Sequence, residues 1–197
     1  MSDNPRRPAH SIDPIFTDRW SPRAFSDETI GEADLMTMLE AARWAPSAYN
    51  SQPWRFVYAR RGAPQWEKLL GLLVPFNQSW AKHASALIFV VSNSVMLPPG
   101  GDKEVPSRSH SFDAGTAFGF LSLQAMRMGW HTHAMSGVDF DKAFAELAVP
   151  AGYRVEAALA VGRLGDKSQL PEGLQAREVP SERRALAELV FEGQFPA

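Results

Sequence analysis

Cysteine is absent from this 197-residue chain, which excludes disulfides, thiolate metal sites and a cysteine nucleophile. No apolar run approaches the roughly 20 residues that a membrane-spanning helix needs, so we expect no membrane partner. The net charge of −2 gives no reason to expect nucleic acid as a partner. The glycine patterns of a Rossmann dinucleotide unit and of a P-loop are both missing. By default, these absences favour a cytoplasmic location.

The chain does contain enough apolar side chains for a packed core. Hydrophobic residues make up 45% and charged residues 21% of the sequence, as in an ordinary folded domain. The length fits one domain, which we place over residues 13–197. Residues 1–12 are polar and contain two prolines, without the apolar centre of a secretory signal. We expect them to form a flexible N-terminal arm.

Four segments have the length and composition of strands. The run 86–92 is apolar almost throughout, as expected of a buried central strand, and residues 55–59, 130–134 and 155–161 are three more. The apolar segment 189–191 is expected to be a strand that joins a partner subunit's sheet, because it would not be stable alone. The expected fold is α+β, a three-layer α/β/α arrangement with a mixed four- to five-stranded sheet and a C-terminal arm exchanged between subunits.

Helical periodicity predicts the layers on both faces of that sheet. A helix begins after Gly31 and is stopped by Pro46, and a short one after Asp13 would carry Phe16 inward. Residues 113–128 are apolar on nearly all sides, so we expect a central, buried helix. Residues 93–107 hold four prolines and glycines in a row and are expected to be an irregular loop. Further helices are expected near 64–73, 76–82 and 140–147, and an extended arm over 165–180.

The segment Arg19-Trp20-Ser21-Pro22-Arg23 places two guanidinium groups and a hydroxyl close together, with no carboxylate between them. Guanidinium groups never lose their proton in proteins, and their planar donors match the oxygens of phosphate. A lone arginine is more often a solvated surface charge. The spaced pair, taken with the motif that follows, predicts a phosphate site.

One helix later, residues 45–54 read Ala-Pro-Ser-Ala-Tyr-Asn-Ser-Gln-Pro-Trp. The segment puts small side chains at Pro46, Ser47 and Ala48 on a turn that enters a strand. The side-chain amides of Asn50 and Gln52 can each donate and accept hydrogen bonds along the edge of a flat heterocycle.

In this order and spacing, the two motifs resemble those of the FMN-dependent nitroreductase family, roughly R-x-S-x-R/K-x-F and A-P-S-x-x-N-x-Q-P-W, and Phe25 completes the first. The similarity is clearest over residues 12–60, continues through 77–165 and returns in the last fifteen residues. It implies an obligate homodimer with FMN bound at the interface. The chain departs from the family where Trp20, Trp80 and Ser181 stand at positions that are often basic, which implies fewer cations around the flavin.

The resemblance also assigns roles to residues of this chain. Arg19, Ser21 and Arg23 would hold the phosphate, and the segment 47–50 would reach the flavin of the other subunit. Asn77 would bond the pyrimidine edge of the ring, although a plain helix N-cap is an equal interpretation of it. The turn after residue 135 would present a backbone N–H to flavin N5. The expected cofactor-binding residues are Arg19, Trp20, Ser21, Arg23, Pro46, Ser47, Ala48, Asn50, Gln52, Asn77, Met135, Ser136, Gly137, Arg183 and Arg184, of which Arg183 is preferred over Arg184.

The activity that the resemblance implies is an NAD(P)H-dependent flavin oxidoreductase. Hydride would pass through flavin N5 to a nitroaromatic, a quinone or an activated alkene in a ping-pong mechanism. No side chain need act as acid or base, so no catalytic residue is expected, and Phe112 with the loop 93–109 is the candidate substrate surface. No metal is expected, because His131 and His133 lack a third ligand. The alternatives are a family variant that uses its reduced flavin with O2, a flavin carrier or sensor without turnover, and a homodimer with a dead site.

Overall fold

The centre of the fold is a four-stranded antiparallel sheet. Its strands run in the order β1-β2-β6-β5, and all three pairings are antiparallel rather than mixed. The four predicted strands are thus confirmed to within two residues at each end. The computed structural model describes residues 4–196, and within them the strands are β1 (Trp54–Arg60), β2 (Ala86–Asn93), β3 (Val95–Met96), β4 (Val105–Pro106), β5 (His131–Met135) and β6 (Tyr153–Gly162).

Helices cover both faces of the sheet. In β2, Leu87 and Phe89 point into one core, and Ile88 and Val90 point into the other, as the period of two along a strand requires. The first core packs against α3, α4, α6 and α7, and the second packs against α2 and α5, so the three-layer α+β prediction is confirmed. The helices are α1 (Ile15–Asp18), α2 (Glu32–Arg43), α3 (Trp66–Leu70), α4 (Pro75–Ala81), α5 (His110–Arg127), α6 (Phe140–Glu146) and α7 (Glu172–Gln175). In the part of the chain that the structure describes, none of them has the length and apolarity needed to cross a bilayer.

The long helix α5 is buried on one side only, contrary to the prediction of a fully buried helix. On its inner face Ala117 and Leu121 are buried, whereas on its outer face Phe112 is 77% and Phe120 is 41% exposed. No atom lies within 4 Å of where a Cβ would stand on Gly115. The outer face of α5 is apolar, but no other part of residues 4–196 covers it.

Two connecting segments are more ordered than the sequence predicted. The segment 93–107 contains a small hairpin, because β3 pairs with β4 through Val95 and Pro106. The segment 165–180 contains a 3-10 turn and α7 instead of an extended arm. Leu170 and Leu174 are buried against the core, and this burial explains why the segment coils.

The chain ends also differ from expectation. Phe16 of α1 is 53% exposed rather than directed inward. Residues 189–191 form no strand; they follow a 3-10 turn at Leu186–Glu188, and within residues 4–196 they pair with neither of the two sheets. Residues 4–12 contain no helix or strand, but Arg6 is hydrogen-bonded to other segments. The flexibility of the arm 1–12 stays a prediction, and its first three residues lie outside the described part.

Candidate functional site

Five arginine side chains line one cleft of about 420 Å³, which we name the arginine cleft. Arg19 and Arg23 come from the loop after α1, Arg6 from the N-terminal segment, and Arg177 and Arg183 from the C-terminal segment. The structure therefore brings the two arginines of the first motif together with the preferred C-terminal cation. Trp20, Ser21, His133, Val179 and Ser181 complete the lining.

Tight packing fixes the loop that carries Arg19 and Arg23. Phe25 is fully buried at the end of this loop, and the carbonyl oxygen of Ala24 accepts a hydrogen bond from the Gly165 N–H at 2.9 Å. A Cβ on Gly165 would lie 2.5 Å from the Phe25 backbone, so only glycine permits this close approach. The loop is thereby held against the end of β6.

A buried carboxylate lies behind the cleft. Glu178 Oε1 accepts hydrogen bonds from the backbone N–H groups of Arg23 at 2.5 Å and Ala24 at 2.8 Å. Its Oε2 lies 3.9 Å from Arg23 Nη1. One carboxylate does not balance five guanidinium groups. The buried Nε of Arg23 and Oε2 of Glu178 have no hydrogen-bond partner among residues 4–196, so the hydrogen-bonding capacity of this pair is not saturated.

Burial and the crowding of like charges lower the pKa values of two arginines. Burial, and then the charge of Arg183, lower the pKa of Arg19. Burial, and then the charges of Arg183 and Arg19, lower the pKa of Arg6. Guanidinium groups nevertheless remain protonated at neutral pH, so these cations repel one another. A bound anion relieves that repulsion, and a phosphate group suits the planar donors best.

His133 of β5 connects the cleft to the core. Its Nδ1 lies 2.9 Å from the carbonyl oxygen of Pro22, and its ring centroid lies 4.6 Å from that of Trp80. Burial, with a further contribution from the Arg23 charge, lowers the pKa of His133 to about 4. The imidazole is therefore neutral at neutral pH. With the Nδ1 proton donated to Pro22, its Nε2 is left as an acceptor.

Further along β5, the turn after Met135 is held against the start of α4. Asn77 Nδ2 donates to the carbonyl oxygen of Gly137 at 3.1 Å, and the Val74 N–H donates to the same oxygen at 3.0 Å. Asn77 is not an N-cap, because Val74 occupies that position. A Cβ on Gly137 would overlap the side-chain nitrogen of Asn77. Asn77, predicted at the ring edge, thus contacts the turn of Met135, Ser136 and Gly137, predicted to face flavin N5. We name these four residues the contact region of Asn77, and β5 joins it to the arginine cleft.

The second motif lies on the opposite face of the sheet. The Ala48 N–H donates to Asp113 Oδ2 at 3.2 Å, which attaches the turn to the start of α5. Three residues of the turn, Tyr49, Asn50 and Gln52, have φ angles of 52°, 54° and 48°. These angles lie in the left-handed region, which is unfavourable for residues other than glycine and is found often in functional segments. None of the turn's hydrogen bonds within residues 4–196 reaches the arginine cleft. Pro46, Ser47, Ala48, Asn50 and Gln52 are therefore close to one another but separate from the other predicted residues.

Two predicted residues stand apart from both regions, and several lining residues were missed. Arg184 is exposed and does not line the cleft, and Phe112 is exposed on α5. Sequence analysis missed the lining residues Arg6 and Arg177, and it missed Glu178, which lies behind the cleft. Arg6 is one of two adjacent arginines in a polar segment, and no spacing rule distinguishes it from a surface charge. No group of three or more potential metal ligands occurs in the described range.

Comparison with known proteins gives a consistent result. A crystal structure described as an oxidoreductase containing FMN matches with a TM-score of 0.94 and 47% identity, covering 100% of this chain and 98% of that one. An uncharacterised 15.4 kDa protein of Mycolicibacterium smegmatis is 35% identical over 150 residues, 72% of this chain and 97% of that protein. The oxygen-insensitive NADPH nitroreductase of Helicobacter pylori is 35% identical over 89 residues, 44% of this chain and 41% of that one.

The sequence profile of the Nitroreductase family matches residues 16–163. This range includes both motifs, the whole sheet and the contact region around Asn77. The chain belongs to the Nitroreductase family.

Proposed function

We propose that the protein is an FMN-dependent oxidoreductase that takes hydride from NAD(P)H and passes it to a small acceptor. The observation that carries this proposal is the arginine cleft, which five arginines line and behind which one buried carboxylate, Glu178, lies 3.9 Å from Arg23. The FMN phosphate has the charge and the oxygen geometry that such a cluster binds. The FMN content of the related structure with 47% identity supports the same cofactor.

The residues fit FMN in two regions that β5 connects. Arg19, Ser21, Arg23 and Arg183 would bind the phosphate. The contact region of Asn77 and Gly137 would hold the ring, since a side-chain amide and a closely approachable backbone suit its polar edge and flat face. FMN, when bound, supplies the hydride chemistry, and the protein supplies binding and orientation. No acidic or basic side chain is assigned a catalytic role.

We also propose a homodimer with the flavin at its interface. The outer face of α5, with Gly115 and Phe120, is exposed in a single chain. Tyr49 in the second motif is 70% exposed, and Val190 near the C-terminus is 63% exposed. Large apolar side chains of this kind are typical of surfaces that another subunit covers. In such a dimer, the turn 47–52 reaches the partner's flavin and the C-terminal arm packs on the partner.

The acceptor is proposed to be a nitroaromatic, a quinone or an activated alkene, reduced in ping-pong order beside Phe112. The name of the Helicobacter pylori relative supports a pyridine nucleotide as the hydride source. A carrier or sensor would bind FMN without catalysing turnover. NADH oxidation with menadione or a nitroarene distinguishes the two functions, because only an enzyme would consume NADH in proportion to acceptor.

The protein is expected to work in the cytoplasm.

The absorption spectrum of the purified protein tests the proposal. Flavin bands at about 370 and about 450 nm are expected, with about one FMN per subunit. The double variant Arg19→Ala, Arg23→Ala should lose the bands and fail to recover them with added FMN. The matched control, Arg7→Ala with Arg154→Ala, removes the same charge from exposed positions outside the arginine cleft and should stay yellow. A colourless wild-type protein that does not bind added FMN would overturn the proposal.

A further inference from the structure

Arg6 connects three parts of the chain that are distant in sequence. Its Nη1 donates to the carbonyl oxygens of Thr17 at 2.9 Å and Arg19 at 2.6 Å. Its Nε donates to the carbonyl oxygen of Ser181 at 2.8 Å. Thr17 and Arg19 lie at the end of α1, and Ser181 lies two residues before Arg183. One guanidinium group therefore ties the N-terminal segment, the first motif and the C-terminal segment around the arginine cleft.

These hydrogen bonds leave the charge of Arg6 without a counter-charge. All three acceptors are neutral carbonyl oxygens, and Arg6 takes part in none of the eight ion pairs found among residues 4–196. Burial is the largest cause that lowers the pKa of Arg6, and the positive charges of Arg183 and Arg19 lower it further. A fixed and uncompensated cation that lines a cleft is arranged to meet an anion.

Arg7 shows how a surface arginine of the same segment differs. It is exposed, and its Nη1 donates only to the carbonyl oxygens of Asn4 at 2.8 Å and Arg6 at 3.1 Å. It does not line the arginine cleft. The two neighbours carry the same charge, but only Arg6 contacts the segments that bear the other cations.

We propose that Arg6 is a cofactor-binding residue that acts on the phosphate of FMN. Its charge attracts the phosphate directly, and its three hydrogen bonds hold Arg19 and the segment of Arg183 in position to bind it. This inference rests on the proposed function. It adds the N-terminal segment, which lies before the range matched by the family profile, to the cofactor site.

The proposal separates two ligands that differ only in the phosphate. FMN binding should depend on Arg6, whereas riboflavin, which has the ring and the ribityl chain without phosphate, should not. Arg6→Gln keeps a side chain that donates to carbonyl oxygens but removes the charge. Hydrogen bonds between charged groups are worth more than neutral ones, so Arg6→Gln is expected to weaken FMN binding about tenfold or more. Arg6→Lys should weaken it less, because the charge remains but the planar donors are lost.

The experiment is a titration of the full-length apoprotein, followed by quenching of flavin fluorescence at one fixed ionic strength. Wild type, Arg6→Gln, Arg6→Ala, Arg6→Lys and the control Arg7→Gln are each titrated with FMN and with riboflavin. The expected result is a loss of FMN affinity in the uncharged Arg6 variants, with riboflavin affinity unchanged within about twofold and Arg7→Gln equal to wild type. If Arg6→Ala does not fold, the comparison of Gln with Lys carries the test.

Three results would overturn the inference. Arg6→Gln could bind FMN as tightly as Arg7→Gln does, which removes any role for Arg6 while the proposed function stands. The Arg6 variants could lose FMN and riboflavin equally, which makes Arg6 a structural residue without a phosphate role. Wild-type protein could bind no FMN at all, in which case the proposed function fails first.

Discussion

The carboxylate of Glu178 accepts a hydrogen bond from the backbone N–H of Arg23 at 2.5 Å, across a sequence separation of 155 residues. Glu178 is 6% exposed, so its contacts are made in a largely dry environment. The same side chain approaches the Arg23 guanidinium group. Glu178 therefore positions both the backbone and the charged group of Arg23, one of the residues proposed to bind the phosphate. It also joins the C-terminal segment to the loop after α1.

Glu178→Ala should destabilise the protein strongly. The substitution leaves two backbone N–H groups without their acceptor and Arg23 without its only counter-charge in the described chain. We expect the free energy of unfolding to fall by about 2–4 kcal/mol, measured by urea denaturation. Glu182→Ala changes an exposed residue and should stay within about 0.5 kcal/mol of wild type. Equal urea midpoints for the two variants would contradict this role of Glu178.

Gly137→Ala should disturb the contact region of Asn77. A Cβ at this position would overlap the Asn77 amide and come within 2.9 Å of a Val74 methyl group. We expect a loss of about 1–3 kcal/mol in the free energy of unfolding, together with weaker FMN binding. Gly173→Ala places its Cβ in open space and serves as the control in both measurements. Unchanged FMN affinity in Gly137→Ala would argue that the flavin ring lies elsewhere.

Stability should depend on pH through His133. Burial lowers its folded-state pKa from 6.5 to about 4, so below about pH 6.5 the unfolded chain binds a proton that the folded chain does not. The free energy of unfolding should therefore fall by about 3 kcal/mol as the pH drops from about 6.5 to about 4. His131, whose pKa burial also lowers, acts in the same direction.

Urea midpoints measured across this pH range test the contribution of His133. His133→Gln keeps a donor for the Pro22 carbonyl oxygen and removes the titration. Its stability should fall less steeply between about pH 6.5 and about pH 4 than that of wild type. Parallel curves for the two proteins would mean that His133 does not titrate with folding.

Gly115→Ala distinguishes a lone subunit from a dimer that packs through α5. Alanine favours a helix over glycine by about 1 kcal/mol, and in the single chain nothing lies within 4 Å of the added methyl group. If the proposed dimer brings another helix against this face, the methyl group should instead weaken association about tenfold or more. Sedimentation equilibrium of the variant and of Gly173→Ala measures the difference. A stabilised variant with unchanged association would place the interface elsewhere.

Phe112→Ala should change substrate use without changing cofactor content. The side chain is 77% exposed, so its removal should cost little stability. Because Phe112 belongs to the proposed acceptor surface, its removal should raise the KM for the nitroarene and leave the flavin spectrum unchanged. Phe16→Ala, at another exposed aromatic residue, is the control. Identical acceptor kinetics in both variants would remove Phe112 from the substrate surface.

The sheet was predictable because local pattern determines it. The segment of β2 is apolar almost throughout in the sequence, and in the structure it is buried on both faces, as that composition predicts. The hairpin of β3 and β4 was not predictable, since two-residue strands carry no periodicity and depend on the pairing of Val95 with Pro106. The extent of α5's burial was not predictable either, because an apolar helix surface does not show which chain will cover it.

The candidate site was predictable where its residues are neighbours in sequence. Arg19 and Arg23 stand four positions apart, so their meeting follows from local spacing. Arg6, Arg177 and His133 join them only through folding, and Arg6 is indistinguishable from Arg7 until its hydrogen bonds are known. The family pattern indicated Arg183, whereas composition and periodicity alone would not have selected it.

The arginine cleft joins segments that lie far apart in the chain, and this has a consequence for biosynthesis. Arg6, Arg19 and Arg23 leave the ribosome before Arg177 and Arg183, and 154 residues separate Arg23 from Arg177. At about 5–20 residues per second, roughly 8–30 seconds separate the two events. A nascent chain that still lacks the later arginines would therefore hold flavin weakly, and stable loading should follow synthesis of the segment that carries them.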